Sequence, residues 1–240
     1  MKPNFNNAIL FLPDKPDNER DAVASEWKKA GGQVLRLERF WKPPSITDKD
    51  IKVYGNEMFC LVLEHLLDIK LVSPTNNFLE KIDYKWTNRE ITFSNLSNID
   101  CLKYPLFIKP AVPKLFEPRI IKAAEEMDGE RAELNDSTLV ITSEIVRFDS
   151  EVRCFILHGE LKSLGIYEGN PKLSEAKSFV DAFLFENKKI LPNTVVIDIG
   201  YIGDKGWAVI EANATWGAGL NGCDAKNVID CIYFATKNVE

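Results

Sequence analysis

The sequence predicts an α/β protein in which a Rossmann-like layer precedes a strand-rich α+β region, and three observations carry that expectation. Strand and helix patterns alternate over residues 1–73, the alternation gives way after Tyr104, and hairpins dominate the chain beyond Asp149. With 240 residues, 45% of them hydrophobic, the chain can form one large domain or two modest ones around a sizeable core.

The run Ala8-Ile-Leu-Phe-Leu12 is unbroken in its apolar character, the pattern of a strand buried on both faces. Residues 13–18 are rich in turn and capping types, and residues 19–30 carry a helical pattern. Gly31-Gly32 stops it, because glycine takes the left-handed conformation at a helix end without steric cost. Residues 33–37 return as a strand and complete a βαβ unit. A strand over 51–54, a helix over 57–69 and a strand over 70–73 repeat the alternation. No G-x-G-x-x-G comes after the first strand, so the dinucleotide-binding fingerprint is absent. Tyr54-Gly55-Asn56 closes a strand of this layer, where α/β sheets place ligands, and is a candidate contact for a second substrate.

Residues 74–99 interleave polar and aromatic side chains, the composition of short helices and loops. Leu106-Phe-Ile-Lys-Pro110 reads as a short strand, residues 117–127 as a helix ended by Gly129, and residues 139–148 as a strand. Hairpins are expected over the remainder. The expected division is an N-terminal layer over 1–73 and a second domain over 74–240, with subdomains over 74–142 and 143–240.

Charge and cysteine content exclude several functions. The formal net charge is -6, with 36 acidic against 30 basic residues, so no overall field draws the chain to nucleic acid or anionic lipid. Five scattered cysteines, none in a C-x-x-C pair, argue against a disulfide framework or structural zinc and for a reducing, cytoplasmic setting. The N-terminal apolar run is cut off by Pro13 and Asp14, too short for a signal or spanning helix. His65, in an apolar helical pattern, and His158, in a tight turn, read as structural.

Two hairpins place the chemistry. Residues 195–199 and 207–213 are apolar strands joined through Gly203-Asp-Lys-Gly206. If Asp204-Lys205 is a two-residue loop, Asp198 lies opposite Glu211; if Lys205-Gly206 is the loop, it lies opposite Asn213. Either way the three side chains share one face, since residues two apart on a strand point the same way. Two carboxylates roughly 5 Å apart destabilise a sheet unless positive charge sits between them. A divalent cation supplies it, and carboxylate and amide oxygens suit Mg²⁺, which completes its shell with waters and phosphates. The same residues also fit a solvated sheet face.

The second hairpin is expected to turn at Asp149-Ser150, and a turn at His158-Gly159 then brings back Leu161 to Tyr167. A two-residue loop there sets Lys162 opposite Phe155 and Leu164 opposite Arg153, gathering Glu151, Arg153 and Lys162 on one side. That face would clamp phosphate oxygens or form an exposed ion network. Gly217, Gly219 and Gly222 then make a flexible turn able to bring backbone N–H groups to an acyl-phosphate. Neighbouring Cys223 has no histidine adjacent in sequence and reads as a small buried residue.

Taken in order, these motifs resemble the ATP-grasp superfamily, in particular its small bacterial and phage members with a short C-terminal half. Leu106-Phe-Ile-Lys109-Pro110 is similar to the strand bearing an ATP-contacting lysine. Ser143-Glu144-Ile145-Val146 is similar to the hinge that binds adenine, and Glu151-Val-Arg153-Cys-Phe155 to the E-x-R-x-F strand near the phosphates. Val196-Ile-Asp198 and Glu211-Ala-Asn213 resemble the metal-ligand strands. Where the family often has a glycine-rich phosphate loop, residues 111–116 contain no glycine and offer Lys114; Lys85 or Lys81 matches an earlier ATP-contacting lysine.

The resemblance implies an ATP-grasp fold of two α+β subdomains behind the Rossmann-like layer. It implies ATP and Mg²⁺, or Mn²⁺, held by Asp198, Glu211 and Asn213. Lys85, Lys109, Lys114, Glu144, Ile145, Val146 and Glu151 would contact the nucleotide, and Arg153 and Lys162 would act on the transferred group. The implied activity is an ATP-dependent ligase that activates a carboxylate as an acyl-phosphate for a nucleophile. The substrates would be an amino acid, peptide or protein, with a homodimer left open. A non-catalytic ATP-binding module and a small-molecule kinase are the alternatives.

Overall fold

The computed structural model describes residues 2–38, 43–44, 46, 49–112 and 114–239. In chain order the first elements are β1 (Ala8–Pro13), α1 (Asn18–Lys29), β2 (Gln33–Leu37), β3 (Asp50–Val53), α2 (Glu57–Leu66) and β4 (Ile69–Leu71). Next come α3 (Tyr84–Thr87), β5 (Ile91–Asn95), β6 (Leu106–Pro110), β7 (Arg119–Ile121), α4 (Asp128–Glu133) and β8 (Leu139–Ser143). The last are β9 (Ser150–Leu157), β10 (Glu160–Glu168), α5 (Leu173–Asn187), β11 (Thr194–Ile202), β12 (Gly206–Asn213), α6 (Ala225–Tyr233) and β13 (Thr236–Asn238).

The chain divides into two compact units, one of Met1–Pro74, Ser150–Ile199 and Ile210–Glu240, the other of Thr75–Asp149 and Gly200–Val209. In the first unit β1 lies between β2 and β3 in a parallel sheet. Its continuous apolar run serves two cores at a period of two. Ala8, Leu10 and Leu12 pack with α1, α6, β9 and β11, while Ile9 and Phe11 pack with α2, Trp216 and Ala235. Asp17 caps α1 by accepting the Arg20 N–H at 2.9 Å, and Gly31 ends it at φ +96°.

Several expectations are corrected. The strand expected over 70–73 is β4 at Ile69–Leu71, and it leaves the parallel sheet to pair antiparallel with β13. The helix expected over 117–127 is replaced by β7, a 3₁₀ turn at Ala124–Met127 and the short α4. Pro118 and the β-branched pair Ile120-Ile121 favour an extended chain there, and Ile121 pairs with Leu106 across the sheet. The strand expected to reach Phe148 ends at Ser143. α5 lies where only hairpins were expected, its buried Ala176, Val180, Phe183 and Leu184 standing at helical spacing.

The second unit holds the antiparallel sheet β5-β8-β6-β7. One face, with Leu106, Ile108, Ile121 and Val140, buries against Leu96, Ile99 and Met127. No helix among the described residues is long and apolar enough to cross a membrane.

Candidate functional site

In the first unit, alternate residues of β9 and β11 carry the core towards a polar end. On β9 Leu157 and Phe155 enter the core and Arg153 comes next on the same face; on β11 Val196 enters it and Asp198 comes next. The two charged side chains meet there. Arg153 Nε donates to Asp198 Oδ1 at 2.9 Å and Nη2 to Oδ2 at 2.7 Å, a bidentate pair with only 12% and 2% of the side chains exposed. Arg153 Nη1 donates to the Gly219 carbonyl at 3.0 Å, and the Tyr167 ring lies 5.8 Å from the guanidinium.

Asn213 links both carboxylates, its Nδ2 lying 2.9 Å from Asp198 Oδ2 and 2.9 Å from Glu211 Oε1. Asp198, Glu211 and Asn213 therefore gather as the strand periodicity predicts. The turn between their strands is longer than the two-residue loops considered: it spans Gly203, Asp204 and Lys205, closed by the Lys205 N–H on the Ile202 carbonyl at 3.0 Å, with Gly206 at φ +87°.

Burial drives the electrostatics. It raises the pKa of Asp198 against the opposing pull of Arg153, with the field of Glu211 adding to the rise. Burial works against the Arg153 charge, yet the hydrogen bonds and field of Asp198 hold its pKa above the ordinary value. Two-point pairing with Arg153 is the geometry of an ionised carboxylate. Glu151 accepts a short hydrogen bond from the Tyr167 hydroxyl; burial raises its pKa against that bond, and Glu168, Asp198 and Glu211 raise it further.

Among the described residues no group of three or more His, Cys, Asp or Glu gathers that could hold a metal. The donor set here is two carboxylates and an amide. These hard oxygens fit a Mg²⁺ ion, which needs only one or two carboxylates besides water and phosphate.

Lys162 does not join this cluster. The register begins as expected, Glu160 opposite Leu157 and Leu161 opposite Ile156, but a bulge at Lys162 puts Ser163 opposite Phe155 and Gly165 opposite Arg153. Lys162 pairs instead with Glu160 at 2.7 Å. The shift brings a residue without Cβ to the place where the turn after β12 crosses β10: a Cβ on Gly165 would stand 2.4 Å from the Cys223 backbone nitrogen. Cys223 is buried, its thiol pushed up to about 11 by that burial, and it donates to the Arg153 carbonyl at 3.4 Å.

Two N–H groups of the glycine-rich turn are occupied within the protein, since Glu19 accepts from Leu220 and Asn221. Glu19 was not a sequence candidate. Tyr54 is buried and donates to the Ala218 carbonyl at 2.8 Å, the Gly55 N–H donates to the Trp216 carbonyl at 3.0 Å, and Asn56 caps α2. That segment holds the turn in place, with Tyr54 buried against it.

In the second unit, Lys109 pairs with Ile141 and Phe107 with Ser143 in the β6–β8 register, and β5 adds Phe93 and Ile91 opposite the same residues. Lys109 thus stands on a face with half-buried Phe107, Phe93, Ile91 and Ser143 and buried Ile141, turned away from the Leu106 and Ile108 core. Beyond β8 the Glu144 N–H donates to the Glu90 carbonyl at 3.0 Å, and the Glu144 carboxylate pairs with Lys205 at 2.7 Å, which lowers its pKa. Ile145 is 40% exposed and Val146 half-buried. Lys85, on α3, lies 5.0 Å from the Trp86 ring. Lys114 has a positive φ of 67°, beside Pro113, which lies outside the described residues.

A family model described as "ATP-grasp domain, R2K clade family 2" matches residues 86–231. No curated protein matches. Among solved structures, D-cycloserine synthetase DcsG is similar at a TM-score of 0.60 and 11% identity, covering 95% of this chain and 99% of its own. A RimK domain ATP-grasp protein from Sphaerobacter thermophilus is similar at 0.59 and 12%, covering 95% and 98%. D-alanine–D-alanine ligase from Bacillus anthracis, complexed with ATP, is similar at 0.55 and 13%, covering 95% and 96%. At these identities the likeness is one of fold, and it agrees with the expected α/β architecture. With its ordered motifs, this fold and the family match over residues 86–231, the chain belongs to the ATP-grasp superfamily, in R2K clade family 2.

Proposed function

We propose that the chain is an ATP-dependent, ADP-forming ligase that activates a carboxylate as an acyl-phosphate for attack by an amine or similar nucleophile. The observation that carries this reading is the meeting of Asp198, Glu211 and Asn213 beside an arginine already oriented by two hydrogen bonds. These three residues are the proposed ligands of Mg²⁺ or Mn²⁺, which when bound supplies a Lewis acid for the phosphate oxygens. A carboxylate offers about four acceptor positions. Asp198 uses three, two on Arg153 and one on Asn213. Turning the Asn213 amide over frees one of them and points its oxygen the same way.

Arg153 orients Asp198 and adds fixed positive charge for the transferred group, so that little reorganisation is needed as charge develops. Lys109, on its aromatic and aliphatic face, has the chemistry to meet an adenine nucleotide, and Lys85, Lys114, Glu144, Ile145, Val146 and Glu151 are proposed contacts by family resemblance. Lys162, committed to Glu160, takes no part in this proposal.

The test is ADP release from Mg-ATP over pools of carboxylates and amines. Among the similar folds are an amino-acid ligase and PsnB, solved with a precursor peptide, so amino acids and peptides belong in the pools. ADP should appear only when both classes are present, and Glu211→Gln should abolish it while the thermal unfolding midpoint stays put. Full turnover by that variant would sink the assignment. The absence of glycine in residues 111–116 favours a second reading, a non-catalytic nucleotide-binding module. Tight Mg-ATP binding without ADP from any pool supports that reading; ADP without a ligated product supports a small-molecule kinase.

A further inference from the structure

One peptide group ties α1 to the Asp198 cluster. Glu19, in the first turn of α1, accepts the Leu220 N–H at Oε2, 2.9 Å, and the Asn221 N–H at Oε1, 2.7 Å. The Leu220 N–H and the Gly219 carbonyl belong to the same peptide unit, and that carbonyl accepts from Arg153 Nη1 at 3.0 Å. Arg153 Nε and Nη2 meanwhile hold Asp198. A continuous chain therefore runs from the Glu19 carboxylate through the 219–220 peptide and the Arg153 guanidinium to the Asp198 carboxylate. Every link reinforces the next, because an anion at the N–H end polarises the peptide and makes its carbonyl a better acceptor for a cation.

The local sequence is shaped for this contact. A Cβ at Gly219 would lie 2.6 Å from Glu19 Oε2, so a side chain there would push the carboxylate from its present place. Asn221 and Gly222 both take positive φ, 45° and 81°, which turns the chain back over Gly165. Tyr54 holds the same turn at a different carbonyl, that of Ala218, and so fastens it without entering the chain to Arg153.

We infer that Glu19 is a positioning residue for the Asp198 centre, fixing Arg153 through the 219–220 peptide and thereby the orientation of the Asp198 carboxylate. This inference rests on the reading of Asp198 as a metal ligand. A residue that only fastened the turn to α1 would affect stability and leave metal affinity alone, as Tyr54 should.

The experiment titrates Mn²⁺ into the full chain without nucleotide, tracking the free-ion signal by electron paramagnetic resonance, for wild type, Glu19→Gln and Tyr54→Phe, and repeats it with AMPPNP against an AMPPNP-only control, since the analogue's phosphates bind Mn²⁺ themselves. Gln keeps the size of Glu19 but faces one of the two N–H groups with a donor. Outer hydrogen-bond partners of metal ligands typically contribute about ten- to a hundredfold in affinity. That range belongs to Arg153, the direct partner of Asp198; Glu19→Gln, which acts through the 219–220 peptide, should lose affinity measurably but by less than about tenfold, and Tyr54→Phe should keep wild-type affinity even if it melts earlier. Wild-type affinity in Glu19→Gln, or an equal loss in both variants, overturns the positioning role while the metal reading stands. Failure of the wild type to bind Mn²⁺ removes the metal reading itself. Should Glu19→Gln not fold, Glu19→Asp keeps the charge, shortens the reach and is read by the same outcomes.

Discussion

Replacing Arg153 with Met separates the two halves of the buried ion pair. Asp198 would keep its place, with 2% of its side chain exposed, but lose both hydrogen bonds to the guanidinium, and the Gly219 carbonyl would lose one donor. With the pair so little exposed, solvent screens it weakly. Removing one partner of a buried pair costs about 3–5 kcal/mol, because the remaining charge stays desolvated. Arg153→Met should therefore lose about that much in urea unfolding at neutral pH, with an unchanged denaturant slope.

The double variant with Asp198→Asn should recover a large part, since it removes the stranded charge. The pH dependence has a definite sign. Without its cation, the Asp198 folded-state pKa rises further above the unfolded value, so the acid group stabilises the fold below the unfolded pKa and that contribution is lost as pH rises. The single variant should thus lose stability between acid and neutral pH more steeply than wild type. A loss below about 1 kcal/mol, or a double variant no better than the single, would refute the reasoning.

Two further changes probe the surroundings. Glu151 has a raised folded-state pKa, so its contribution to stability is present below the unfolded carboxylate value and is lost as pH rises through the folded one. Glu151→Gln, which keeps an acceptor for Tyr167, should flatten thermal stability against pH on the acid side and melt no earlier than wild type at neutral pH; a steeper profile contradicts this. Gly165→Ala would set a Cβ 2.4 Å from the Cys223 nitrogen and 2.5 Å from the Asn221 carbonyl oxygen, both backbone atoms. It should cost about 1–3 kcal/mol by overpacking, and an unchanged unfolding midpoint would show that the turn shifts freely.

The strand periodicity around Asp198 and Glu211 was enough to put three site residues on one face, because that inference needs only local geometry. Local patterns were equally good for β1, β2 and β6 and for the presence of the two long hairpins, though not for the turn length of one or the register of the other. They failed where partners lie far apart. β4 looks like another strand of the parallel sheet, but its partner is β13 at the other end of the chain. The one-residue bulge at Lys162 has no sequence marker, yet it separates Lys162 from Arg153. α5 was legible in the spacing of Ala176, Val180, Phe183 and Leu184 and was hidden only by the hairpin pattern around it. Glu19 reads as an ordinary first-turn acid of a helix, and nothing near it in sequence points to Leu220.

The central claim, that Asp198, Glu211 and Asn213 hold a divalent cation for ATP, is tested most directly by isothermal titration of AMPPNP with and without Mg²⁺, in wild type and Glu211→Gln. The account predicts that Mg²⁺ tightens binding to the wild type and that Glu211→Gln loses this dependence while remaining folded. Equal affinity with and without Mg²⁺ in the wild type, or full Mg²⁺ dependence in Glu211→Gln, would contradict it.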